Sequence, residues 1–307
     1  MQSGVMDCFT LFAMTNLFME SKASPSLPAL VTPTPWEALK NFTDARIALG
    51  RAGVSLPTAA HLAFQLAHAQ ARDAVHLPFD ALGIESSLQG LALPTLRLHS
   101  QATNRAMYLQ RPDLGRRLDA ASLQALAEWQ AQQGDAPGSD VAFVLVDGLS
   151  SLAIHQNAVA LVSLMLQRLQ ADTALPWTVA PLSVVAQGRV AIGDEVGAAL
   201  RANTVVVLIG ERPGLSSPDS MGLYLTWAPK VGTSDAARNC ISNIRPDGLS
   251  IDAAAGTLHQ LLVRARQQQL TGVGLKDDTD HTLSDPKKAP PHRPLISFWQ
   301  SQSRDSR

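Results

Sequence analysis

Cysteine is nearly absent from this chain. Two occur in 307 residues, Cys8 and Cys240, far apart and in unlike surroundings. That count gives no support to a disulfide framework or a cysteine zinc site, and it fits a reducing cytoplasm. An excess of either charge is missing too. A formal net charge of -1 argues against non-specific binding to nucleic acid or anionic lipid, which needs a concentrated basic surface. No apolar run is long enough to span a bilayer, and no internal repeat is visible. The dinucleotide fingerprint Gly-x-Gly-x-x-Gly and the P-loop Gly-x-x-x-x-Gly-Lys-Ser/Thr are both lacking, so a nucleotide pyrophosphate is not favoured. So are the Gly-x-Ser-x-Gly elbow, which removes the usual signs of a hydrolase, and His-Glu-x-x-His. What remains is a chain able to build a core, 46% hydrophobic and 17% charged, which excludes global disorder.

The organisation reads in four parts. Residues 1–30 carry scattered apolar side chains but no basic n-region, an early Asp7 and a Ser-Pro-rich stretch from Ser24 to Pro28. They read as a flexible extension or a misassigned start rather than a targeting signal. Residues 31–135 read as a mainly helical N-terminal domain. Thr34-Pro35-Trp36-Glu37 has the form of a capping box with proline at the first helical position. A second helix follows over about 59–76, with Leu62, Leu66 and Ala69 on one apolar face. His61 and His68 are seven apart on it, the wrong spacing for a metal pair. Pro78 to Thr95 has no secure assignment, Leu96 to Ser100 alternates like a strand, and Ser122 to Gln133 is helical. Arg105, Arg111, Arg116 and Arg117 cluster between them, either as a salt-bridged loop or as a docking surface for an acidic partner.

Residues 136–276 change rhythm to strand, helix, strand, helix, strand, which predicts a Rossmann-like α/β domain with a parallel sheet. The strands are Val141 to Val146, Leu182 to Ala186 and Thr204 to Ile209, with a further strand at Leu223 to Trp227. Continuous apolar runs of this kind belong to strands buried on both faces, and ligands bind beyond their carboxyl ends. Three turns fall there: Asp147-Gly148-Leu149-Ser150, Gln187-Gly188-Arg189-Val190 and Gly210-Glu211-Arg212-Pro213-Gly214. Each pairs glycine with a polar side chain, so together they point to a binding crevice. Glu211 would repel a phosphate and suits a ligand that offers N–H donors. Cys240 stands between Arg238 and Arg245 with no partner histidine motif, so it reads as a small filler rather than a nucleophile. Residues 277–307 have too little apolar surface to order and read as a disordered tail, although Leu295, Ile296, Phe298 and Trp299 have the make-up of a short docking motif.

Several of these segments resemble the small (light) subunit of ethanolamine ammonia-lyase. They include Gly188-Arg189-Val190-Ala191-Ile192-Gly193-Asp194-Glu195, Ile209-Gly210-Glu211-Arg212-Pro213-Gly214-Leu215 and Arg238-Asn239-Cys240-Ile241-Ser242-Asn243-Ile244-Arg245-Pro246. Tyr108-Leu109-Gln110-Arg111-Pro112-Asp113-Leu114-Gly115-Arg116-Arg117 is similar in the N-terminal half, and the likeness runs from about Trp36 to Lys276. The resemblance implies an ammonia-lyase that turns ethanolamine into acetaldehyde and ammonia with adenosylcobalamin. It implies a hetero-oligomer in which a TIM-barrel large subunit carries the substrate site and this chain covers the cofactor. Cobalamin would keep its own benzimidazole as lower ligand, in keeping with the absence of Asp-x-His-x-x-Gly. By the same resemblance Val190, Glu211 and Cys240 contact the cofactor, with no catalytic or metal-ligating residue on this chain. The alternative is a stand-alone corrinoid- or nucleotide-binding α/β module without lyase activity.

Overall fold

The computed structural model describes residues 30–134 and 136–275. The expected extension (Leu30 apart), Cys8 and the tail with its Leu295 to Trp299 motif lie outside the described residues. The chain divides into two compact units, Met1–Phe64 and Gln65–Arg307.

In the first unit the expected α-helix after Thr34 is a single 3₁₀ segment, Glu37–Phe42, entered at Trp36 without a side-chain cap. Its apolar residues stay in water, Phe42 at 85% exposure. Without a face to bury, the capping pattern alone does not sustain an α-helix. Helix α1, Thr58–His76, begins here and runs into the second unit. Its expected apolar face is not the buried one: Leu62 and Leu66 are exposed, and the residues it buries are Ala67 and Ala74.

The second unit is built on one six-stranded sheet in the order β1-β3-β2-β4-β5-β6. Strand β1 is Thr95–His99, β2 Val141–Val146, β3 Leu182–Ala186 and β4 Thr204–Gly210. These four are parallel; the sequence rhythm predicts this for β2, β3 and β4, while β1, from the stretch read as a mainly helical domain, joins the same sheet. Every residue of β2 and β4 is buried, the physical basis of their unbroken apolar runs. Each fully buried valine, leucine or isoleucine contributes about 1.5–3 kcal/mol by leaving water.

The sheet is not parallel throughout. Strands β5, Met221–Trp227, and β6, Arg238–Ile244, are antiparallel additions. Residues 211–220 between β4 and β5 contain no helix. A parallel return needs a crossover longer than that, so the chain turns straight back.

Helices cover both faces. On one side α5, Ser151–Ala171, and α7, Ile251–Gln268, pack on Phe143, Leu145, Val206, Leu208, Leu223 and Leu225. Helix α2, Ala81–Leu88, joins that core through Ile84 and Leu88, in the stretch that had no assignment. On the other side α6, Ile192–Ala199, and α4, Ala120–Gln133, pack on Val144, Val146, Val205 and Val207. Gly193 brings α6 onto the sheet, since a Cβ there would collide with a methyl of Val207. The chain therefore leaves β2 toward one face, through α5, and β3 toward the other, through α6. A crevice at the carboxyl ends follows from that divergence.

Candidate functional site

A cavity of about 450 Å³ opens at those carboxyl ends. Each of the three glycine turns reaches it: Leu149 from the first, Arg189 and Val190 from the second, and Gly210, Glu211 and Arg212 from the third. Tyr108, Arg116, Tyr224 and Asp235 complete much of the wall. Gly148, at φ +60°, and Gly210 let the first and third turns touch through their backbones, with Leu149 N–H donating to Gly210 O at 2.9 Å. A Cβ on either glycine would collide with the other turn.

Glu211 is held from two sides. Its Oε2 accepts from Ser220 Oγ at 2.6 Å and from the Asn243 N–H at 3.3 Å. Among the described residues Oε1 accepts no hydrogen bond and rests over Gly222, where a side chain would displace it. The carboxylate is thus pinned by one oxygen with the other available to a donor. Val190 lies on the same cavity just before α6.

Cys240 is outside the cavity lining. It sits on β6 opposite Tyr224, is exposed, and its Sγ lies 3.2 Å from Ser242 Oγ. Burial, then the neighbouring Cys240, pushes the Tyr224 hydroxyl up to about 12. Val190 and Glu211 are therefore brought together, and Cys240 occupies the adjoining sheet surface, one strand beyond the Tyr224 wall.

The motif from Gly188 to Glu195 has a structural task at nearly every position. Gly188 N–H donates to buried Asp147 Oδ1 at 3.1 Å. Asp194, in the first turn of α6, forms a bidentate pair with Arg238 at 2.6 and 2.7 Å. Glu195 accepts from Arg117 Nη2 at 2.9 Å and from the Leu118 N–H at 2.8 Å. Two carboxylates at the start of α6 also suit the positive end of its dipole. The arginine cluster resolves mainly into ion pairs: Arg105 with Asp147, Arg111 with Asp113 and Arg117 with Glu195, while Arg116 lines the cavity.

Sequence reasoning missed Tyr108 and Tyr224. The chain contains two tyrosines, and both line this cavity. Tyr108 is 1% exposed, with the guanidinium of Arg105 4.7 Å from its ring centroid and that of Arg189 at 4.5 Å. Burial, followed by the nearby Asp147 charge, raises its hydroxyl pKa. Asp147 itself is pushed up to about 6 by burial, against the opposing pull of Arg105 and three backbone N–H groups.

The family described as ethanolamine ammonia-lyase light chain (EutC) matches residues 33–276. The ethanolamine ammonia-lyase small subunit of Azotobacter vinelandii is 55% identical over 249 residues, 81% of this chain and 90% of that protein. The small subunit of Ralstonia nicotianae is 56% identical over 256 residues, 83% of this chain and 93% of its own length. That of Pseudomonas putida strain KT2440 is 54% identical over 262 residues, 84% and 94% of the two chains. With the match spanning the whole sheet and the cavity at its edge, the chain belongs to the ethanolamine ammonia-lyase light-chain family.

Proposed function

We propose that this chain is the light subunit of an adenosylcobalamin-dependent ethanolamine ammonia-lyase, which converts ethanolamine to acetaldehyde and ammonia. In this reading it holds the cofactor at the interface with a TIM-barrel large subunit, in a Rossmann-like domain, in the bacterial cytoplasm. The observation that carries the cofactor assignment is the meeting of Val190 and Glu211 on one cavity at the strand ends.

The residues present fit the group. A corrinoid has broad apolar faces and a rim of carboxamides. Val190, Leu149 and Ile209 offer apolar wall, and Glu211 Oε1 offers an acceptor for an amide N–H. The exposed sheet surface at Cys240, next to Tyr224, extends the platform sideways. The cofactor is larger than a cavity of about 450 Å³, so this chain covers one part of it and the large subunit must close the rest.

Bound there, adenosylcobalamin supplies the radical chemistry of the reaction. This chain binds, orients and excludes water. Glu211, pinned by Ser220 and Asn243, fixes rotation by a charge-assisted hydrogen bond. Val190 keeps the contact dry, and the Asp194 and Glu195 ion pairs hold the helix that follows it.

Co-expression with a cognate large subunit should give ammonia release that requires both adenosylcobalamin and this chain. Activity unchanged when this chain is omitted sinks the proposal. Tight corrinoid binding by this chain alone, with no activity on adding the large subunit, favours the stand-alone module instead.

A further inference from the structure

Five buried side-chain polar atoms lack a hydrogen-bond partner among the described residues, and three of them belong to Arg189, to Gln187 in the same turn, and to Arg105, which with Arg189 contacts the Tyr108 ring: Arg105 Nη2, Gln187 Oε1 and Arg189 Nε. Buried polar groups are nearly always paired, so such a concentration calls for a reason. Beside them is Tyr108, with two guanidiniums stacked over its ring. Cation–π contact gives each guanidinium a partner that makes no hydrogen bond, which accounts for the unpaired nitrogens.

The stack connects distant parts of the chain. Arg105, on helix α3 (Arg105–Gln110), donates Nε–H to Val75 O at 2.7 Å and Nη1–H to Gly148 O at 2.8 Å. It also faces Asp147 Oδ2 at 3.5 Å. Arg189 donates its backbone N–H to Gly115 O at 2.7 Å and Nη2–H to Tyr108 O at 3.1 Å. Gly115 leaves no space for a side chain between Arg189 and the Tyr108 ring. Val190 follows Arg189 directly and lines the cavity. Gln187, in the same turn, has the left-handed φ of +55° that a glutamine adopts only when its surroundings hold it there.

We propose that Tyr108 is a positioning residue for cofactor binding: its ring stacks with the guanidiniums of both Arg105 and Arg189, and so fixes the Gln187-to-Val190 turn in the shape that receives the corrinoid. This rests on the cobalamin reading of the cavity. The hydroxyl is not part of the clamp; the ring is.

The test uses the complex of this chain with the large subunit. The readouts are equilibrium dialysis of cyanocobalamin and, separately, KM for adenosylcobalamin against kcat. Tyr108→Leu removes the ring on which both guanidiniums stack and should raise the Kd for cyanocobalamin about tenfold or more. KM for the cofactor rises with it, while kcat at saturating cofactor changes less than twofold. Tyr108→Phe keeps the ring and should restore wild-type Kd. Arg189→Lys, which loses the planar stacking group, should weaken binding like Tyr108→Leu, and the double variant should be no weaker than the worse single. Arg189→Lys carries the test where Tyr108→Leu fails to assemble. Loss of affinity in Tyr108→Phe, or fully additive singles, overturns the clamp. So does wild-type Kd in Arg189→Lys. Wild-type complex that retains no cyanocobalamin instead overturns the cofactor reading beneath it.

Discussion

The ion pair between Arg238 and Asp194 offers the sharpest energetic test. Both side chains are 1% exposed. All five guanidinium N–H groups of Arg238 are engaged: two on Asp194, one each on Thr226 Oγ1 and Thr233 O, and Nε–H on Asp235 at 3.2 Å. Replacing Arg238 by Met keeps much of the volume but strands the Asp194 carboxylate in a dry site. Removing one partner of a buried pair costs about 3–5 kcal/mol, most of it the uncompensated charge. In a unit of this size that lowers the melting temperature by roughly 6–20 °C. Asp194→Asn combined with Arg238→Met removes the stranded charge, so the double variant should lose no more than Arg238→Met alone. Urea unfolding followed by tryptophan fluorescence and far-ultraviolet circular dichroism gives all four corners of the cycle. A loss below about 1 kcal/mol in the single variant would refute the reasoning, as would a double whose cost equals the sum of the singles.

Other outcomes follow from the site. Glu211→Gln should weaken cobalamin binding by about 1.5–3 kcal/mol, the worth of a hydrogen bond to a charged group; equal retention on dialysis counts against the contact. Asp147 has its pKa raised from 3.8 to about 6. Between those values the folded chain keeps a proton the unfolded chain has lost, so this group's contribution to stability falls as pH rises through that window. The fall is on the order of 3 kcal/mol and complete above about pH 6. Asp147→Asn should therefore gain on the wild type between pH 4 and pH 7 in denaturant titrations, and parallel curves would contradict the burial argument. Gly193→Ala should cost about 1–3 kcal/mol by pushing α6 off Val207. Val207→Ala in the same chain should recover part of that loss, measured by thermal unfolding.

How far the sequence carries depends on what each segment buries. Strands β2, β3 and β4 are legible because a strand covered on both faces is apolar at nearly every position, Ser183 and Thr204 being the polar exceptions, and the three turns that follow them do converge on one cavity. Strand β6 escapes the same reading. It is an edge strand with exposed Cys240, Ser242 and Asn243, and its pairing with β5 shifts register between Met221 and Leu223, which breaks the two-residue alternation. Helix α2 hides among prolines and leucines, although Asp80 supplies its cap by accepting from Gly83 N–H at 2.9 Å. The 3₁₀ segment near Trp36 shows the reverse: an apt local pattern with no burial behind it. Within the site, Val190 and Glu211 follow strands directly and can be read from local order. Tyr108 reaches the cavity by tertiary placement, and its signal in the chain was only the scarcity of tyrosine beside a run of arginines.

The first turn of α6 has a consequence for how this molecule is made. Its two adjacent carboxylates take arginines from opposite directions along the chain, Arg117 from before the central strands and Arg238 from after them. During synthesis the ribosome delivers the turns of the cavity before it delivers Arg238. Until then Asp194 has no guanidinium to meet, and β5 lacks the neighbour that carries Asn243 to Glu211. In chain order, then, the turns that floor the pocket come first and the residues that latch them come after, Arg238 for Asp194 and Asn243 for Glu211.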